Sequence, residues 1–165
     1  MTPTLITPPA SMPVTLLDVK EHLRVDHDEE DALISGLISA AVAHLDGRAG
    51  VLGRCIMPQT WRVSAEAGDV VLPFPDVTAA SVDYGDGAVA LDVTATGRGP
   101  MVTLDQDGDI TFTCAMPAHL LPAIKGAVMM LVAHWYATRE AASGAMAPVP
   151  MAADALISAL RWVRI

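Results

Sequence analysis

The chain has 165 residues, 52% of them hydrophobic and 18% charged, which gives room for a core and excludes a disordered segment. A formal net charge of −9 excludes stable wrapping of nucleic acid by the domain as a whole, although a polyanion can pass such a surface without sticking. Aromatic residues are only 4%, so Ala, Val, Leu, Ile and nine Met must fill the interior.

Residues 1–13 contain Pro3, Pro8, Pro9 and Pro13 and read as an extended, mobile N-terminal arm. The arm lacks the basic and apolar regions of a signal peptide. Thr15 then opens a short helix, with Asp18 three residues on as its capping-box partner and Leu16, Val19, Leu23 and the neighbouring Leu17 and Lys20 giving an amphipathic pattern. A second helix is predicted with Asp28 as N-cap. The acidic run Asp26, Asp28, Glu29, Glu30 and Asp31 lies at its start, where the helix dipole favours negative charge by ~0.3–1 kcal/mol each. Leu33, Ile34, Leu37, Ile38, Ala41 and Leu45 follow at helical spacing, and Gly47 and Gly50 stop the helix.

From residue 57 the period changes. Gln59–Ser64 alternates, with Trp61 and Val63 on one face, and the short apolar run Val70–Leu72 is stopped by Pro73 and Pro75. Val77–Tyr84 and Ala88–Val93 flank Gly85-Asp86-Gly87, a hairpin signal. Met101–Leu104 and Asp109–Cys114 flank Asp105–Gly108 and read as a second hairpin. A small antiparallel β unit of about five or six strands is expected over 57–115.

Pro122 suits the first turn of a third helix over 121–141, with Ile124, Val128, Leu131, Val132, Trp135 and Tyr136 on its apolar face. The longest apolar run, Gly126–Ala133, is too short to cross a bilayer core of roughly 30 Å. After an Ala/Gly/Pro-rich stretch, residues 143–165 read as a linker and a docking helix ending near Trp162. Leu156, Ile157 and Leu160 form its stripe, followed by an apolar and basic tip. The expected fold is α+β: a small helical bundle of about four helices, with the β unit inserted between the second and third. The expected domain plan is the arm at 1–13, one domain over 14–142 and the C-terminal segment at 143–165.

No catalytic, metal or cofactor site is legible. The five histidines are scattered and no HExxH, GxSxG, Walker A or GxGxxG occurs. The run Asp105–Asp109 places Gly fourth rather than sixth and Met116 where an EF-hand loop needs its bidentate Glu. Cys55 and Cys114 have no metal-ligand spacing and are expected as two buried thiols, with a disulfide between them as the lesser alternative.

The order of these segments resembles the head–tail connector (adaptor, or head-completion) proteins of tailed phages, including those of prophages and gene transfer agents. The family's early "VTLEEVKxHLRVDxxxED" appears at Val14–Asp31, and its "TW" strand at Thr60-Trp61. Its "LPxPPV…SVxYxD" appears as Leu72-Pro73-Phe74-Pro75 followed by Val77, Ser81, Val82, Tyr84 and Asp86. Its "PxxIKxAxxxLVAHWYxxRE" helix is nearly letter for letter at Pro122–Glu140. The family's closing "YRV" is matched loosely by Arg161-Trp162-Val163.

The resemblance implies a non-enzymatic structural protein without cofactors. It implies a homo-oligomeric ring, dodecameric in the family, in the neck of a phage or gene transfer agent particle and assembled in the bacterial cytoplasm. Such a ring joins the portal protein to a stopper or tail protein and lets DNA pass through its centre, with no membrane involved. On that reading Leu156, Ile157, Leu160, Arg161, Trp162, Val163, Arg164 and Ile165 would meet the portal; the alternative is that the helix folds back on its own subunit and covers the Leu131 and Trp135 face. Asp26, Asp28, Glu29, Glu30 and Asp31 become candidates for the channel lumen or a subunit contact. The competing readings are a small enzyme or regulator from a phage-like cluster, and a generic α+β binding module.

Overall fold

In the computed structural model, residues 2–138 and 150–163 are described. The helices are α1 (Leu16–Leu23), α2 (Asp31–Leu45), α3 (Leu121–Thr138) and α4 (Met151–Leu160), with a single 3-10 turn at Ala118–Leu120. The strands are β1 (Thr4–Thr7), β2 (Gln59–Ala65), β3 (Gly68–Val71), β4 (Val77–Asp83), β5 (Ala88–Leu91), β6 (Thr94–Thr96), β7 (Gly99–Leu104) and β8 (Gly108–Cys114). They divide into two compact units. The β unit is built from Met1–Ser11, Gly53–Pro117 and Trp162–Ile165, and the helical unit from Met12–Leu52 and Ala118–Arg161.

The β unit overturns the expected fold class. It holds an antiparallel five-stranded sheet, β1-β2-β8-β4-β5, and a three-stranded sheet, β3-β7-β6, so the chain is not a helical bundle carrying one small β insertion. The strands missing from the expected count are β1 and β6, and the three residues of β6 carry too little alternation to be read from sequence. The residues of the N-terminal arm between Pro3 and Pro8 form β1, pairing Thr4 with Arg62 and Leu5 with Trp61. Prolines flanking an edge strand remove no ladder donor that the sheet needs.

One predicted hairpin holds: β4 and β5 pair across the Gly85–Gly87 turn, with Asp83 opposite Ala88. The other does not. The chain does reverse after Leu104, but β7 pairs with β3 and β6 while β8 pairs with β2 and β4 in the other sheet. The turn chemistry fixed a change of direction, and the buried faces decided the partner. A second crossing between sheets runs from β2 to β3, and the two are tied where the Ala67 N–H donates to Asp107 Oδ1 at 2.8 Å.

Alternation in β8 sends Ile110, Phe112 and Cys114 inward, in register with Val63, Trp61 and Gln59 of β2. Val63, Ile110, Phe112 and Cys114 join Val70, Val102 and Leu104 from the smaller sheet in one buried cluster, with Trp61 packed against it and Phe74 in tilted contact with both Trp61 and Phe112. The opposite face of the larger sheet carries Arg62, Ser64, Ser81, Asp83, Asp109 and Thr111, the polar-out pattern of a sheet buried on one side.

In the helical unit, α1 opens with the predicted capping box. Thr15 Oγ1 accepts from the Asp18 N–H at 3.1 Å, and the Thr15 N–H donates to Asp18 Oδ2 at 3.0 Å. Helix α1 closes on Arg24 in the left-handed region, at φ 59°. By length and composition the helix over Ala118–Thr138 is apolar enough to cross a membrane. Within this unit α3 behaves as a core helix. It packs against α1, α2 and α4, buries Ile124, Ala127, Val128, Leu131 and Val132, and exposes only Pro122, Lys125 and Ala137.

Candidate functional site

The acidic run is held by a buried cation. Val19 and Lys20 are the buried residues of α1, and Lys20 is only 9% exposed. Its Nζ donates to Asp28 Oδ1 and to Asp31 Oδ1, both at 2.6 Å. Asp28 therefore does not cap α2, as the sequence had predicted. Glu30 occupies the N-cap position without a capping hydrogen bond from its side chain, and Asp28 reaches back to α1 instead. A desolvated ammonium needs opposite charge more than a helix end needs a cap. The hydrogen bonds from Lys20 hold the Asp28 carboxyl below its ordinary range, and the bonds to Asp28 and Asp31 raise the Lys20 ammonium above its own.

The remaining acids divide. The hydroxyl of Tyr136 on α3 donates to Glu30 Oε2, which ties the start of α2 to the core helix. Glu29 Oε2 lies 3.1 Å from His27 Nδ1, and both side chains face solvent. Asp26 is also exposed. The structure thus brings Asp28, Glu30 and Asp31 into contacts within the helical unit and leaves Asp26 and Glu29 facing outward. The signal available in the sequence was Lys20, the one charged residue on a stripe of buried positions.

The C-terminal segment is also divided. Ala153 and Ile157 are buried in the helical unit, where α4 lies against α3 and Leu156 approaches Gly126. Leu160 is half-buried, and Arg161 and Val163 are exposed. Helix α4 ends at Leu160, so Trp162 is not helical as predicted. Trp162 belongs to the β unit, where two glycines make room for it. A Cβ on Gly53 would lie 3.0 Å from the Trp162 carbonyl oxygen, and one on Gly99 would lie 3.3 Å from Cζ2 of the indole. Both glycines sit at positive φ, 64° and 126°, so the backbone there favours glycine for a second reason. Arg164 and Ile165 lie outside the described residues, as does the predicted linker up to residue 149.

Two further contacts in the β unit had no local signal. Asp76, at φ 57°, receives a forked hydrogen bond from Arg54, with Nη2 at 2.5 Å and Nε at 3.0 Å from Oδ2. Cys55 and Cys114 are both buried, and their sulfurs touch. Among the described residues no group of three His, Cys, Asp or Glu side chains is placed to hold a metal ion.

The segment that contains the Lys20 network also matches a known family. Residues 13–70 fit the family model of the phage gp6-like head-tail connector protein. The resemblance to head–tail connectors is thereby borne out. The connector match covers about a third of the chain and includes α1, α2 and β2. Solved structures extend the likeness in fold to the full length. One chain of "Virion of native gene transfer agent (GTA) particle" is 22% identical, with a TM-score of 0.69, and the match covers 100% of this chain and 97% of that one. Chains of "Neck of empty GTA particle computed with C6 symmetry" and "Neck of native GTA particle computed with C12 symmetry" are each 21% identical, with TM-scores of 0.67 and 0.66 and the same coverage. No curated protein matches the chain.

Proposed function

We propose that this chain is a structural head–tail connector, not an enzyme. It assembles as a homo-oligomeric ring in the neck of a phage or gene transfer agent particle and joins the portal to a stopper or tail protein. The observation that carries the reading is the connector match over residues 13–70 within a fold shared, end to end, with a chain of gene transfer agent particles. The six- and twelve-fold symmetry of the similar neck structures supports a ring, and we take twelve subunits as the working stoichiometry. A net charge of −9 suits a ring through which DNA passes without being held.

The proposed portal contact lies at the end of the chain. Ile157 is already buried against its own helical unit and Trp162 is seated in the β unit, so the contact surface falls to Leu160, Arg161, Val163, Arg164 and Ile165, with Leu156 and the half-buried Trp162 at its margin. Asp26 and Glu29, the acids not drawn into the Lys20 and Tyr136 contacts, are the members of the acidic run we assign to the lumen or to a neighbouring subunit.

The experiment is to mix the purified chain with a portal ring from the same particle and image the mixture by negative stain. A ring of added density below the portal is expected, and a chain truncated after Leu160 should fold yet fail to add it. A full-length protein that stays monomeric and never associates with portal would overturn the connector reading.

A further inference from the structure

The β unit contains a pair of thiols that neither the connector reading nor any motif uses. Cys55 lies just ahead of β2, and Cys114 is the last residue of β8. Their side chains are 1% and 0% exposed, no disulfide joins them, and the two Sγ atoms are 2.7 Å apart. The two sulfurs are therefore direct neighbours, close enough to be joined with little movement of the backbone. The two cysteines are 59 residues apart in sequence, and all of β2 to β8 lies between them.

We propose that Cys55 and Cys114 form a modification site: a dithiol that closes to an intramolecular disulfide when a small two-electron oxidant, a hydroperoxide, reaches it. Burial selects this class. Both sulfurs are closed even to a water-sized molecule, so any oxidant needs a local opening of the β unit, and a hydroperoxide, little larger than water, needs a far smaller one than a bulky disulfide reagent. One cysteine, as thiolate, attacks a peroxide oxygen. The O–O bond breaks, the leaving hydroxide takes a proton to become water, and a sulfenic acid remains. The second sulfur then attacks the sulfenic sulfur. The S–S bond forms, the S–O bond breaks, and the departing oxygen leaves as a second water. The two sulfurs lose two electrons together, and the peroxide gains them. Because the partner sulfur is already in contact, the second step needs almost no search. It therefore outruns further oxidation to a sulfinic acid.

The cross-link closes a loop that contains every strand of the β unit except β1, so it restrains the unfolded chain strongly. A particle that assembles in a reducing cytoplasm and is then released would meet such oxidants only after assembly. That consequence rests on the connector reading, whereas the thiol chemistry does not.

The test uses the purified full-length chain, so it is independent of portal binding. The chain is exposed to hydrogen peroxide, denatured, alkylated and digested, and the peptides that carry Cys55 and Cys114 are weighed. The expected result is one cross-linked peptide pair, lighter by about 2 Da than the two thiol peptides together, with both cysteines protected from alkylation until a reductant is added. The melting temperature should rise by ~10 °C on oxidation and return on reduction. Cys114→Ser should give neither the mass loss nor the shift. A wild-type chain in which the peptide of Cys55 or Cys114 gains ~32 Da, in which both cysteines stay fully alkylatable, or which forms a covalent dimer through them would overturn the proposal, whether or not the serine variant folds.

Discussion

Replacing Ile157 by alanine tests whether α4 is held by its own subunit. The side chain is 3% exposed and lies on the face of α4 turned to α3. Burying an isoleucine and then truncating it to alanine destabilises by about 2–5 kcal/mol, from lost transfer energy and the cavity left behind. A ten-residue helix can settle part-way into the gap, which places the expected loss at about 2–3 kcal/mol. A helix of that length is marginal in water on its own, so its persistence depends on this contact. In urea the midpoint of the helical unit should fall by about 1–2 M, with far-UV circular dichroism as the readout. Met151 on the same helix is 90% exposed, and Met151→Ala should shift stability by no more than about 0.5 kcal/mol. If Ile157→Ala unfolds within about 0.2 M of the parent, α4 is not part of the core, and the segment is free to bind elsewhere as a whole.

Three other outcomes follow from the contacts described. The Lys20 network should make stability depend on pH at both ends. The Asp28 carboxyl is lowered from its ordinary 3.8, so its contribution is present above that value and lost as pH falls through the lower folded one. The Lys20 ammonium is raised from 10.5, so its contribution is present below that value and lost as pH rises past the folded one. Lys20→Met should flatten both limbs of a plot of urea midpoint against pH. Asp76→Ala leaves the Arg54 guanidinium largely buried without its forked acceptor, and a loss of about 2 kcal/mol is expected in a thermal melt. Gly99→Ala places a side chain at φ 126° and within 3.3 Å of the Trp162 ring, so about 1–3 kcal/mol should be lost. Tryptophan fluorescence should shift to the red as the indole leaves its seat; an unchanged spectrum would refute the contact.

The acidic run shows how function and structure compete for the same residues. Five acids close together look like a surface made for a partner. Asp28 and Asp31 neutralise Lys20, and Glu30 receives the Tyr136 hydroxyl, so most of the run's charge is used to join α1, α2 and α3. A partner that required those three carboxylates would have to break contacts that stabilise the subunit. Asp26 and Glu29 carry no such conflict.

Much of the helical unit was legible before the structure. The Thr15–Asp18 capping box, the stripes of α2 and α3 and the stop after Leu45 depend on residues three or four apart, and so does the motif pattern that carries the family resemblance. The β4–β5 hairpin was equally local, set by Gly85-Asp86-Gly87. Tertiary structure alone decided the rest. It chose β3 rather than β8 as the neighbour of β7, brought β1 from the N-terminal arm to Trp61, placed Asp28 on Lys20, and put Cys55 against Cys114. Local patterning states which side of an element is apolar and where the chain turns. Which distant surface covers that side depends on how all the buried faces fit at once, and on which buried charges must find each other, and no short stretch of the chain contains that information.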